Sequence, residues 1–441
     1  MRTSPIFKRT IALFAGSLLL AQLSSAQFVT IPDSTFVTWL HGSNYASCMN
    51  GNQMDTTCTA LVTDTLFDIR YSQIHDITGV QYLRNVTYLY CDEARLTYIP
   101  AFPPALRELH CYFNRLTALP PLPATLTTLD CSSNKLTSLP AFPAGLSYID
   151  CSYNHPMATF TSLPPSLTHL DMHQDQMPGT MPSLPLGLTF LNVSGNSFYS
   201  LPALPASLLT LLCLYDSLTV LPALPAGLIE LQCDGNQITA LPTIPFGLQD
   251  LSANENLLTT TPFLPNSLTS VAVVRNRLTS IPNLPDSMMV LYCSFNPDLT
   301  CLPRLGKIGS LNFDNTAITC LGNYPIPDSI MGSIRNPPLS TIPICTAVNA
   351  NGCNVFTGVR DVNTLSTLSI YPNPVNDLLN ISGSTTTSLQ IAICNLQGQS
   401  LRTITTDSHT TEIQISGLAP GMYVLRLSAD GDVENRTFVK E

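Results

Sequence analysis

The sequence predicts a mainly β protein, a solenoid of parallel strands on a concave face and polyproline-II-like segments on a convex face, followed by a small antiparallel β-sandwich. Two observations carry this. One frame recurs at Val86, Leu106, Leu126, Leu146, Leu167, Leu188, Leu208, Leu228, Leu248, Leu268, Met288 and Ile308, spaced by 20 residues except for two spacings of 21. After "DVNTLST" the period of twenty stops and short alternating segments separated by Gly, Asn and Pro take over.

Each unit divides into an outward and a return leg. In "LIELQCDGNQITALPTIP" the apolar residues are Leu228, Leu231, Cys233, Ile238, Leu241 and Ile244. The stretch from Leu231 to Cys233 alternates like a half-buried strand, so Leu231 and Cys233 face in while Glu230, Gln232 and Asp234 face out. The return leg places Leu and Pro at every third residue, the period of polyproline II, and Pro lacks the donor that a ladder would use. Between the legs stands an Asn, at positions 114, 134, 154, 196, 236, 256, 276 and 296. Its amide can satisfy backbone groups of its own coil and the next. Ala94, Asp175 and Asp216 interrupt that column, and looser turns are expected there.

Solenoids need lids. "IPDSTFVTWLHG" predicts a short helix starting near Asp33 or Ser34 and stopping at Gly42, with Phe36, Val37 and Leu40 covering the first coil. Seven cysteines, Cys91, Cys111, Cys131, Cys151, Cys213, Cys233 and Cys293, share the inward position that Met172, Val193, Ala253, Val273 and Phe313 take elsewhere. These substitutions point to packing, since buried Cys behaves as a small hydrophobe. Neighbouring parallel strands hold such thiols about 4.8 Å apart, too far for a bridge. Bridges are expected outside the column, Cys48 with Cys58 and Cys345 with Cys353, with Cys301 and Cys320 left open.

The units resemble the leucine-rich repeat family, in particular its short bacterial class with "LPxLPxxLxxLxxxxNxLTx" units, over residues 66–345. The resemblance implies a curved solenoid whose strand-lined concave face binds other macromolecules. Residues 1–26, with Arg2, Lys8 and Arg9 before "IALFAGSLLLA" and "SSA", read as a signal peptide. Residues 27–65 read as an N-terminal cap, 346–365 as a C-terminal cap and linker, and 366–441 as the sandwich, with room for seven short strands.

In that last segment "YPNP" (Tyr371, Pro372, Asn373, Pro374), "NLQGQSL" with Gly398, and "GLAPGMYVLRL" with Gly421 and Tyr423 are similar to the type A C-terminal sorting domain of type IX secretion substrates. That resemblance implies export by the type IX machinery to the medium or the outer cell surface, followed by removal of the sorting domain.

Candidate chemistry lies on the outward strand positions. Asp130, Asp150 and Asp171 form a column with carboxylates about 5 Å apart, flanked by His110, His169 and His173. A flat ladder rarely supplies the six converging oxygens a hard cation takes, so no metal is expected. Tyr88, Tyr90, Tyr112, Tyr148 and Tyr153, with Phe113 and Phe190, are interface anchors or sugar platforms. The concave face of the first half is therefore the expected binding site for a protein or glycan. A structural or adhesive envelope role, with the solenoid as spacer or self-associating scaffold, is the alternative. No GxSxG, HExxH or phosphate-cradling loop occurs, so neither an enzyme nor a cofactor is expected. A net charge of −10 without a basic stretch speaks against nucleic acid.

Overall fold

A computed structural model describes residues 28–441 except 159, 307, 325–341, 347, 351–352, 354–367, 383–387, 408–409 and 430–431. The expected signal peptide, residues 325–341 and most of the expected C-terminal linker lie outside the described residues.

Thirteen parallel strands, running in chain order from Leu66–Asp68 to Ser310–Asn312, form one sheet. Pairing is in register at every step, as in Leu129 against Ile149 and Asp130 against Asp150, because the repeat length places chemically equal residues side by side. The central residue of each strand and the Cys-column residue two positions later point inward, and Leu129, Cys131, Leu231 and Cys233 have no exposure. The column cysteines are buried and outside any disulfide, and burial pushes the ionisation of Cys111, Cys131 and Cys151 well up. The return legs are extended and end in one tight turn before the next strand, in which an apolar residue's N–H donates to the carbonyl of the Pro three residues earlier, as in Leu228 to Pro225. A small parallel pair, Pro178–Thr180 in the second 21-residue unit with Ser197–Ser200 in the unit after it, lies away from the main sheet.

The Asn column staples the coils. The Asn236 Oδ1 accepts from the Leu218 N–H, while its Nδ2 donates to the carbonyls of Cys213, Cys233 and Asp234. Where Asp replaces Asn, half of this survives. The Asp175 carboxylate accepts from the Asn154 N–H at 2.6 Å and Asp216 accepts from the Phe198 N–H at 3.3 Å. Neither offers the two amide donors.

The predicted cap helix spans Ser34–His41. Asp33 caps it by accepting from the N–H groups of Thr35 and Phe36, and its second oxygen accepts from His75 and Asp76 in the first coil. One carboxylate thus fixes both the helix start and its seat on the solenoid, with Phe36 and Leu40 fully buried beneath. Cys48 and Cys58 are bridged.

At the other end the pairing differs from the expected one. Cys345 bonds Cys320, and Cys353 bonds Cys301. The returning segment runs alongside two successive coils, and each of its cysteines meets a coil cysteine before it can reach the other.

Residues 369–441 form two antiparallel sheets with strand memberships Ser369–Tyr371, Leu378–Ser382, Thr410–Gln414 and Leu389–Cys394, Ser400–Thr406, Gly421–Ala429, Asp432–Lys440. Leu379, Ile381, Ile391, Ile393, Leu425 and Phe438 fill the space between them. Asn373 of "YPNP" ties the first strand to the last, accepting from the Val439 N–H and donating to the Thr437 carbonyl. The Tyr423 hydroxyl donates back to the Ala419 carbonyl at 2.7 Å. Gly398 and Gly421 sit at positive φ, 79° and 152°, where a side chain is disfavoured.

Candidate concave binding face

Strand alternation lays three columns of side chains on the concave floor, and in-register pairing makes each column continuous. The first column carries Tyr88, Glu108, Thr128, Tyr148, His169 and Phe190. Tyr148 and His169 stack at 4.3 Å with 8° between planes, and His169 stacks on Phe190 at 4.2 Å and 4°. The stacking follows the solenoid axis, so both faces of His169 are covered and the ring edges point into the groove. Burial lowers the His169 pKa, which favours the neutral ring.

The second column carries Tyr90, His110, Asp130, Asp150, Asp171 and Asn192. Here the local motif is Asp-x-Ser. Asp130 Oδ1 accepts from the backbone N–H and hydroxyl of Ser132, and Asp150 Oδ1 does the same with Ser152. Asn192 repeats the geometry with Ser194. At Asp171 the partner is His173, whose ring Nδ1 lies 2.6 Å from Oδ1. That contact raises the His173 pKa. Burial lifts Asp130, and lifts Asp150 to about 6, with the two flanking carboxylates adding to the second shift. His110 lies 3.9 Å from Asp130 and packs its ring edge-on to Tyr90 at 5.0 Å.

These carboxylates do not converge. Among the described residues, the trio of His, Cys, Asp or Glu whose ligand atoms all fall within 4.8 Å is Cys320, Cys345 and Cys353, and these are in disulfides.

Tyr112 lies in the third column, between Asp92 and Ser132. Burial and Asp92 push its hydroxyl up to about 12. Tyr153, expected on the floor, lies elsewhere. It occupies the turn residue before the ladder Asn, at φ 57°, and so stands on the rim, where it meets His173 at 4.7 Å. Phe113 occupies the same rim position at φ 50°.

The rim holds three more aromatics that sequence reading passed over, Tyr71, Tyr215 and Phe295, exposed by 66%, 59% and 46%. All have positive φ, a conformation that costs a non-Gly residue about 1 kcal/mol or more. The sequence signal was available, since Phe113 and Phe295 directly precede a ladder Asn and Tyr215 precedes Asp216. Gly235 makes room for this column, because a Cβ there would lie 2.3 Å from the Tyr215 ring.

Residues 369–441 match the family described as secretion system C-terminal sorting domain, and residues 104–144 match leucine rich repeats in two copies. No curated protein matches. Among solved structures the chain is similar to YopM from Yersinia enterocolitica WA-314, at 27% identity over 62% of this chain and 77% of that one, with a TM-score of 0.38. It is also similar to YopM from Yersinia pestis, a leucine-rich effector protein, at 25% identity over 60% and 87%, with a TM-score of 0.46. A Shigella effector LRR domain matches at 29% identity over 39% and 70%, with a TM-score of 0.28. The sorting domain indicates type IX export to the cell surface or the medium. Among the described residues no helix is long and apolar enough to cross a membrane. The chain thus joins a parallel solenoid, matched by leucine rich repeats over residues 104–144, to a segment matched by a secretion system C-terminal sorting domain over residues 369–441.

Proposed function

We propose that this is an exported binding protein whose concave floor, from Tyr88 to Phe190, takes a protein ligand through basic side chains. The observation that carries the reading is the pair of adjoining ladders, Tyr148–His169–Phe190 beside Asp130–Asp150–Asp171. A sugar platform presents a ring face, whereas these rings cover one another's faces and offer edges. Beside them run carboxylates, one oxygen of which is anchored by a Ser or His two residues on, so that they are held in place for a cation. The rim aromatics Phe113 and Tyr153 extend the contact area, and such residues dominate interface energetics. The floor hydroxyls of Ser132, Ser152 and Ser194 are engaged as struts, so binding and not catalysis is the role we assign.

Anisotropy titration with a labelled hexa-arginine peptide and with a labelled neutral hexasaccharide tests this. The peptide is expected to bind more weakly as salt rises, and about tenfold more weakly to the variant Asp130→Asn, Asp150→Asn, Asp171→Asn. Affinity should also fall as pH drops through about 6, because Asp150 loses its charge there. Saccharide binding without peptide binding would reverse the assignment, and self-association with neither would favour an envelope scaffold.

A further inference from the structure

The sorting domain has an outer sheet surface that its own core does not cover. Ile391, Ile393, Leu425 and Leu427 point into the sandwich, so Ala392, Cys394, Val424 and Arg426 point away from it. In-register pairing sets Cys394 opposite Val424 and Ala392 opposite Arg426, which makes one patch of four. Yet Cys394 has no exposure, Val424 has 2% and Ala392 has 8%.

The cover is the convex face of the solenoid. Phe246 packs on Ala392, Cys394 and Val424 together with Leu396. The Arg426 guanidinium lies over the Phe263 ring at 3.5 Å from its centroid, a cation–π geometry. Gly398 closes the contact, since a Cβ on it would stand 2.8 Å from Thr243 and 3.0 Å from the Ile244 carbonyl.

The two phenylalanines are departures from the repeat. Phe246 stands where the units at Ala144, Ala206 and Ala226 carry a methyl group, and Phe263 stands where Ala203 and Ala223 do. Neither belongs to the hydrophobic core of the solenoid. Leu186 occupies the position of Phe246 in an earlier unit and is 87% exposed, so an apolar side chain there is not buried by the solenoid itself.

We propose that Phe246 and Phe263 form a docking site on the convex face for the outer sheet of this chain's own sorting domain. The two halves then make one body, and the concave floor on the opposite face stays open while the sorting domain is attached. Separation of the halves uncovers two aromatic rings on one side and a thiol-bearing apolar patch on the other.

Maleimide labelling of the native full chain, with labelled sites located by mass spectrometry, tests this. Cys394 should be protected as fully as the seven column thiols. Phe246→Asp with Phe263→Ala should label Cys394 at least tenfold faster while the column thiols remain protected, which shows the solenoid still folded. Leu186→Asp, at the same position of a unit without the contact, should change nothing. Where the double variant exposes the column thiols, Phe263→Ala alone carries the test, with about threefold faster labelling expected. Rapid labelling of Cys394 in the unaltered chain, or no acceleration in Phe263→Ala, overturns the proposal.

Discussion

Asn296→Ala is expected to destabilise the solenoid by about 2–4 kcal/mol, the sum of lost hydrogen bonds and orphaned buried groups. The side chain has no exposure. Its Oδ1 accepts from the Leu278 N–H at 3.0 Å, and its Nδ2 donates to the carbonyls of Val273 and Cys293, both at 2.9 Å. Removing it leaves a donor and acceptors of two successive coils without their partner. Stability in a repeat array is a sum of unit and interface terms, so the loss falls on the interface between the two coils that the amide joins. Urea unfolding followed by circular dichroism measures it, and a loss below about 1 kcal/mol would mean that ordered water takes over the amide's task. Asn296→Asp should fall between wild type and Ala, because it keeps the acceptor and discards the donors.

Nature has already made that second substitution at positions 175 and 216, and the expected result there is a pH-dependent stability. Burial raises the Asp175 pKa from 3.8 to about 8 and that of Asp216 to about 7. A folded pKa above the unfolded one means that the native chain holds protons the unfolded chain has released. The protonated acids therefore contribute their full stabilisation below about pH 4, and it is lost as pH rises toward 7 for Asp216 and 8 for Asp175. For Asp175, which is wholly buried, the slope is about 1.4 kcal/mol per pH unit. The variant Asp175→Asn with Asp216→Asn should be more stable at pH 8 and show a flatter profile. Part of the slope persists in it, because Asp150, raised to about 6, titrates with the same sign. Parallel pH profiles for the two proteins would show that these carboxyls ionise freely.

The repeat frame made much of this legible in advance. Counting twenty residues from any inward Leu identifies the strand, its buried centre, the Cys column and the ladder Asn, since each depends only on neighbours that carry the same residue. The cap helix was legible for a related reason, as Asp33, the apolar spacing and Gly42 all act within three turns. The floor residues Tyr148, Asp150, His169 and Asp171 were placed correctly by alternation alone. Tyr153 was misplaced because alternation ends one residue earlier, where the chain turns to positive φ to reach the ladder Asn.

What the sequence determined by itself is therefore whatever repeats: a parallel solenoid, its inward and outward faces, its stapling amides, and the alternating strands of the sorting domain. Tertiary structure decided what happens once. The partners of Cys345 and Cys353 depended on the path of a single returning segment. The edge-on ring ladder depended on how three different side chains share one column. The burial of Phe246 and Cys394 depended on two surfaces about 150 residues apart along the chain meeting in space. A periodic pattern states its own neighbours in every unit, whereas a contact made once is stated nowhere along the chain and appears only when the chain has folded.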